Sequence, residues 1–174
     1  MSLLVLAYPS ISKIDFDWIQ SYRKANDKLY YNLVDPHFTI VFPVDDKTEK
    51  QFVNEIEKQI ASVRKIEFQI KSAAFVKDNF SEYYLEFLIP DLGHDQIVSL
   101  HDRLYSEALI SNLRLDIAYM PHITVGNSLD INKSKMAIAE LNDRRLSITG
   151  QINSLTVVKY ESGSIVNLAT FTLK

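Results

Sequence analysis

A short segment that occurs twice is the feature that most constrains how this chain can fold. Residues 36–40 are Pro-His-Phe-Thr-Ile, and residues 121–125 are Pro-His-Ile-Thr-Val. The alternation of polar and apolar residues predicts a short strand in each copy, and side chains two positions apart on a strand share a face. Each copy therefore presents one imidazole beside one hydroxyl, with its apolar side chains on the opposite face. Two such strands facing each other would form a pocket with two histidines and two threonines.

The order of predicted elements around this segment is also repeated, which indicates an internal duplication. Each half is predicted to run helix, motif strand, helix, strand, strand. The first half places these at 16–29, 36–40, 47–63, 66–70 and 83–89, and the second at 96–109, 121–125, 132–146, 148–158 and 165–173. Asp15 is predicted to cap the first helix, and residues 93–95 are predicted to open its counterpart.

The duplicated layout predicts an α+β fold with two pseudo-symmetric lobes. No linker rich in glycine, serine or proline separates the halves, so they are expected to share one packed interface. We therefore predict a single domain over residues 1–174, made of halves of about 1–90 and 91–174. The two motif strands are expected to lie face to face across a central cleft.

Composition excludes several classes of function. The formal net charge is −3, which provides no overall attraction for a long polyanion such as double-stranded DNA. There is no cysteine, which rules out disulfides and thiolate chemistry and fits a cytoplasmic protein. No apolar run approaches the roughly 20 residues that a membrane span needs, and residues 1–8 are predicted as a strand rather than a signal peptide.

A single copy of the motif has an ordinary structural explanation. Threonine is common in strands, and a proline is tolerated just before one. Two copies at matching places in a duplicated layout favour a functional explanation. Burial of two histidines and two threonines for packing alone would require a partner for every polar atom.

The paired motifs resemble those of the 2H phosphoesterase superfamily, which includes 2′-5′ RNA ligase and cyclic phosphodiesterase proteins. Both copies are intact, as His37 with Thr39 and His122 with Thr124. The resemblance implies a bilobal fold with a cleft between two antiparallel sheets and flanking helices. It also implies action on 2′,3′-cyclic phosphates, ADP-ribose cyclic phosphate, 2′-5′ linkages or RNA 3′ ends. Four residues do not select among these substrates.

The four motif side chains are suited to opening a phosphodiester. An unperturbed imidazole titrates near pH 6.5, so one histidine can act as a base while the other acts as an acid. We predict that His122 activates water and His37 protonates the leaving oxygen, although the sequence also allows the reverse. The hydroxyls of Thr39 and Thr124 would donate to the non-bridging oxygens. This scheme needs no metal and no other cofactor.

The remaining histidines and two further residues complete the candidates. His94 and His101 are interpreted as structural, with His101 a partly exposed helix residue. Tyr119 precedes the second motif and is a candidate for stacking on a base. Lys77, near a strand end, is a candidate for adding positive potential at the cleft, although such lysines are often solvated edge residues. Tyr30, which precedes the first motif, is expected to pack.

Three functions remain open from the sequence. The leading hypothesis is a metal-independent phosphodiesterase that acts on a small nucleotide or a short RNA end. The first alternative is a binding module that holds nucleotide or RNA phosphate ends without turnover. The second is a scaffold in which the motif is a relic. In each case we expect a monomer with no membrane partner and no double-stranded DNA partner.

Overall fold

The computed structural model describes all 174 residues as nine strands, four α-helices and one 3₁₀ helix. The strands are β1 (Ser2–Ala7), β2 (Ser10–Ile11), β3 (Phe38–Val44), β4 (Ile66–Lys77), β5 (Tyr84–Leu92), β6 (Ile123–Ser128), β7 (Ile148–Ile152), β8 (Ser154–Glu161) and β9 (Ser164–Thr172). The α-helices are α1 (Lys13–Asn26), α2 (Glu49–Ile60), α3 (His94–Leu104) and α4 (Ile131–Asp143), and the 3₁₀ helix is Glu107–Asn112. No helix has the length and apolar character needed to cross a membrane.

The strands form two antiparallel sheets, which confirms the predicted bilobal α+β fold. One sheet has the order β3-β1-β8-β9, and the other has the order β2-β7-β4-β5-β6. The two motif strands, β3 and β6, each lie at the edge of a sheet. Each motif histidine immediately precedes its strand. The edge positions leave one side of each motif strand free of a neighbouring strand.

Each sheet contains strands from both halves of the sequence. The repeated unit is strand, helix, motif strand, helix, strand, namely β1-α1-β3-α2-β4 and then β5-α3-β6-α4, with β8 as the closing strand. In both units the closing strand leaves its own half, because β4 pairs with β5 and β8 pairs with β1. The helices that precede the motifs cross over as well, since α1 contacts β6 and α3 contacts β3. The repeats therefore divide between β4 and β5, at residues 78–83, and this division does not separate the sheets.

The apolar faces of the motif strands are anchored in one hydrophobic core. Phe38 and Ile40 of β3, and Ile123 and Val125 of β6, are all fully buried. The ring of Phe38 meets that of Phe68 on β4 edge-on, with centroids 5.2 Å apart. Burial of alternate residues forces the intervening histidine and threonine of each motif toward the other face.

Several predicted element boundaries were wrong. The first helix begins three residues earlier than the Phe16 start predicted, because Ser12 is its N-cap and accepts the amide of Asp15 at 3.1 Å. Asp15 instead accepts the Ser12 hydroxyl from the first turn. The predicted helix 96–109 starts at His94, ends at Leu104 and is followed by the 3₁₀ helix. The predicted strand 148–158 is two strands, β7 and β8, interrupted at Asn153.

A buried ion pair ties α1 to the second motif strand. The Arg23 guanidinium donates to the Asp27 carboxylate at 3.1 Å, and both side chains are almost completely buried. The other oxygen of Asp27 accepts the side-chain amide of Asn127, on β6, at 2.7 Å. Arg23 also donates to the carbonyls of Tyr30 and Val34, in the segment that leads to the first motif. One guanidinium therefore supports both edges of the cleft.

We predict that Arg23→Met lowers the free energy of unfolding by about 3–5 kcal/mol, because it leaves the Asp27 carboxylate buried without its cation. Denaturant unfolding of the purified variant measures this change. The control is Lys13→Met on the same helix, whose pair with Asp17 is exposed and whose loss should cost less than about 1 kcal/mol. Equal losses in the two variants would contradict the assignment of Arg23.

Candidate active site

The ring of His37 is held by the backbone of its own motif. Its Nδ1 lies 2.7 Å from the carbonyl oxygen of Asp35, two residues earlier. A carbonyl oxygen only accepts, so Nδ1 carries the proton and donates it. The other ring nitrogen, Nε2, is then unprotonated in the neutral ring and can accept a proton. The ring of Tyr8 meets His37 edge-on, with centroids 6.1 Å apart.

His122 is held in the same way. Its Nδ1 lies 2.6 Å from the carbonyl oxygen of Met120, again two residues earlier. The ring of Phe87, on the neighbouring strand β5, stacks on His122 with centroids 3.6 Å apart and an interplanar angle of 23°. Both motifs therefore fix the same tautomer and leave Nε2 as the working nitrogen. The stacked phenylalanine further restricts rotation of the His122 ring.

The four motif side chains line one cavity. His37 and Thr39 from β3 and His122 and Thr124 from β6 all border a cleft of about 360 Å³. This volume lies within the range of small-molecule sites. The rest of the lining is mainly apolar, and comprises Leu4, Leu6, Arg23, Tyr30, Leu33, Val34, Phe42, Pro43, Leu85, Tyr160 and Ile165. The two motifs therefore meet at one cleft, as the sequence predicted.

A second chamber adjoins the cleft at His122. It has a volume of about 420 Å³ and shares Phe42, Leu85 and His122 with the cleft. Its wall is mainly apolar and includes the ring of Phe80, which is 67% exposed. His122 therefore borders two cavities, and a ligand that reaches it can extend into either.

Burial makes both histidines weak bases in the free protein. It lowers the pKa of His122 to about 4, partly opposed by the hydrogen bond to Met120 and assisted by the nearby His37. Burial likewise lowers the pKa of His37, partly opposed by the hydrogen bond to Asp35. Both rings are therefore neutral at pH 7 while the cleft is empty. An anion bound between them would favour the charged form and raise these pKa values.

The other sequence candidates occupy different places. Lys77 borders the second chamber rather than the cleft, and its Nζ is 3.1 Å from a carboxylate oxygen of Glu82. Tyr119 does not line the cleft. Its hydroxyl donates to the carbonyl of Thr39 at 3.0 Å. His101 was wrongly interpreted as partly exposed. It is 2% exposed and lies between α3 and β3.

Sequence reasoning missed three residues of the cleft that carry a polar group. Tyr30 lines it, although it was expected only to pack. Arg23 lies in the lining, and its one sequence signal is the spacing of four to Asp27 on α1. Tyr160 enters from β8, and no local pattern marks it. The side chains of Glu, Asp, His and Cys form no group of three that could hold a metal ion.

Comparison with known families identifies the chain. The model of the 2′-5′ RNA ligase superfamily matches residues 9–164, so the protein belongs to that family. The match spans both motifs and most of both sheets. It confirms the resemblance to the 2H phosphoesterases. No curated protein matches the chain in sequence.

Solved structures share the fold at low sequence identity. E. coli LigT complexed with 3′-AMP is 14% identical, covers 99% of this chain and 97% of its own, and has a TM-score of 0.59. Kluyveromyces marxianus Usb1 is 8% identical, with coverages of 96% and 97% and a TM-score of 0.55. A structure described as a phosphoesterase is 13% identical, with coverages of 99% and 97% and a TM-score of 0.57. LigT has also been crystallised with NADP⁺ and with ATP.

The depressed pKa of His122 predicts how stability depends on pH. The folded value is about 4 and the unfolded value is near 6.5, so the unfolded chain binds more protons between these pH values. The free energy of unfolding should therefore fall as the pH is lowered from about 6.5 to 4. Denaturant unfolding across this range should show a shallower decline for His122→Gln than for the wild type. Identical slopes would mean that His122 is not buried as a neutral ring.

Proposed function

We propose that this protein is a metal-independent phosphodiesterase that hydrolyses a 2′,3′-cyclic phosphate or a related nucleotide or RNA-end phosphodiester. The observation that carries the proposal is the matched pair of histidines on one cleft. Each ring is held at Nδ1 by a backbone carbonyl two residues earlier, which leaves two Nε2 atoms to act on one ligand. Membership of the 2′-5′ RNA ligase superfamily supports the same chemistry.

The reaction needs one proton to be taken up and one to be given. His122 Nε2 accepts a proton from water as the water oxygen forms a bond to phosphorus. The bond between phosphorus and the leaving ribose oxygen breaks, and His37 donates its Nε2 proton to that oxygen. Thr39 and Thr124 donate hydrogen bonds to the non-bridging oxygens, where negative charge develops. Proton exchange with solvent then returns His122 to the neutral form, and His37 is protonated again when the next phosphate binds.

The two histidines differ in how their rings are held, and this difference supports the division of roles. A base must be neutral before the reaction, and His122 has a pKa of about 4. An acid must be protonated, and the charge of a bound phosphate raises the pKa of the imidazole beside it. His37, which is not stacked under a phenylalanine, is the histidine that we assign to this protonated role. Each proton-transfer role is typically worth a factor of roughly 10² to 10⁴ in rate.

The charge of the cleft supports a small ligand with one phosphate at the reaction centre. Arg23 is the one arginine or lysine in the lining, and it is committed to Asp27 and to two backbone carbonyls. A chain of phosphates would meet no further free cation there. The apolar second chamber is suited to the base or ribose on one side of the phosphate. We therefore propose a small nucleotide or a short RNA end as the substrate, handled by a monomer in the cytoplasm.

We predict that His37→Ala and His122→Ala each lower kcat by roughly 10²-fold or more, because each removes one proton transfer. Thr39→Ala and Thr124→Ala should cost less, since each removes one hydrogen-bond donor from a phosphate that keeps others. The assay is turnover of 2′,3′-cyclic nucleotides, ADP-ribose cyclic phosphate and 2′-5′ oligoadenylate in excess chelator. Activity should survive the chelator, because the acid and the base are both imidazoles.

His94→Ala is the matched control for these variants. His94 is a surface histidine on α3, 3.0 Å from Asp95, and it does not line the cleft. It should retain wild-type turnover. A folded His37→Ala or His122→Ala protein with near-normal turnover would exclude the two-histidine mechanism. Tight binding of the same compounds without turnover by the wild type would favour the binding module.

The depressed pKa values also predict the pH dependence of kcat/KM, which reports on the free enzyme. The value of kcat/KM should rise with pH as His122 loses its proton near pH 4. It should fall again as the pH passes the pKa of His37, which lies below 6.5. The optimum should therefore lie on the acid side of about pH 6.5, with apparent pKa values that belong to the coupled pair. The kcat profile should lie at higher pH, because bound phosphate raises both values. A kcat/KM optimum above about pH 7.5 would contradict the assignment.

A further inference from the structure

Three side chains outside the cleft bind the backbone of the first motif strand. β3 is an edge strand, so part of its backbone has no neighbouring strand to pair with. His101 Nδ1 donates to the carbonyl of Ile40 at 2.8 Å. The Tyr105 hydroxyl accepts the amide of Phe42 at 2.9 Å, and the Tyr119 hydroxyl donates to the carbonyl of Thr39 at 3.0 Å. All three come from the second half of the chain, between α3 and the second motif.

Tyr119 differs from the other two because it belongs to the second motif's own segment. The next residue, Met120, provides the carbonyl that orients His122. The carbonyl that Tyr119 binds belongs to Thr39, a residue of the first motif. One side-chain hydrogen bond therefore joins the backbone of one motif to the segment that aims the histidine of the other. Tyr105 provides no such link, because it connects β3 only to the end of α3.

The ring of Tyr119 is held in place by His101. The two rings are nearly parallel, with an interplanar angle of 7° and centroids 3.6 Å apart. Phe42 meets Tyr119 edge-on, with centroids 6.0 Å apart. His101 is itself fixed by its bond to Ile40, so the stack is anchored on the same strand that Tyr119 binds. With one face covered and the hydroxyl engaged, the ring has little surface to offer a substrate base.

We infer that Tyr119, held by His101, is a positioning residue that sets the separation of His37 and His122 across the cleft. This inference rests on the proposed function, in which both imidazoles act on one phosphate. Two edge strands from different sheets have no shared ladder of backbone hydrogen bonds to fix their spacing. The Tyr119 hydroxyl supplies a direct connection between them. A misplacement of about 1 Å in an active site can cost roughly 10²-fold in rate, so loosening this connection should reduce catalysis.

The test compares Tyr119→Phe with Tyr105→Phe. Each variant keeps its ring and loses one hydroxyl that binds the backbone of β3. We expect Tyr119→Phe to lower kcat by roughly 10-fold or more with little change in KM, while Tyr105→Phe keeps kcat within roughly 2-fold. Thermal unfolding checks that both are folded. If Tyr119→Phe does not fold, His101→Phe replaces it under the same criteria, because it keeps a flat ring but loses the bond to Ile40.

Other outcomes would overturn the inference. Equal falls in kcat for the two tyrosine variants would indicate a general loss of rigidity in β3. A change confined to KM in Tyr119→Phe would indicate that Tyr119 contacts the substrate. Unchanged kcat and KM would indicate that Tyr119 only packs.

A second readout does not depend on turnover. NMR titration of the imidazole nitrogens gives the pH midpoints of His37 and His122 with and without inorganic phosphate. Tyr119→Phe should move the His122 midpoint toward 6.5, because a less confined ring gains access to water, and Tyr105→Phe should leave it unchanged. Unchanged midpoints in both variants would refute the inference. If the wild type turns over no substrate, the proposed function fails, yet these midpoints still decide whether Tyr119 positions the histidines.

Discussion

The structure depends on one interaction that it makes twice, the hydrogen bond from a histidine Nδ1 to the carbonyl two residues earlier. The residue between the two partners is proline in both motifs, Pro36 and Pro121, and its ring fixes the backbone angle φ. Neither proline follows a cis peptide bond. The rigid turn brings the carbonyl within hydrogen-bonding distance of Nδ1, which sets the tautomer and leaves Nε2 free for the cleft. The proline therefore helps to orient the histidine that follows it.

The exchange of strands between the halves explains how two short motifs come to face each other. Because β4 and β8 each cross into the other half's sheet, neither repeat has a complete sheet by itself. The motif strands remain at the sheet edges, where the face that carries histidine and threonine borders a cavity. Edge strands need other partners for their backbone, and α3 with its following residues supplies them for β3 through His101, Tyr105 and Tyr119.

Short sequence patterns predicted the individual strands and helices of this fold. The alternation in each motif predicted the buried Phe38 and Ile123 and the imidazoles on the cleft face, and the helix periodicity predicted four helices. The pairing of β4 and β8 depends on contacts between distant residues, which no short pattern encodes. Ser12 and Asp15 both have capping side chains, so the sequence left two possible starts for α1. The burial of His101 depends on β3, 61 residues away, and the place of Arg23 in the cleft depends on the segment that ends at Val34. The sequence marked Tyr119 as a candidate but did not reveal its bond to Thr39, 80 residues away.

The central claim is that two Nε2 atoms meet at one phosphate. Crystal structures with a 2′- and with a 3′-nucleoside monophosphate, the two possible products of cyclic phosphate opening, test it most directly. We expect phosphate oxygens within about 2.6–3.2 Å of Nε2 of both His37 and His122, the reach of a proton-transfer contact. The claim is contradicted if the phosphate contacts one histidine alone, or if it lies outside the cleft, for example in the groove that contains Arg64, Lys65 and Arg103.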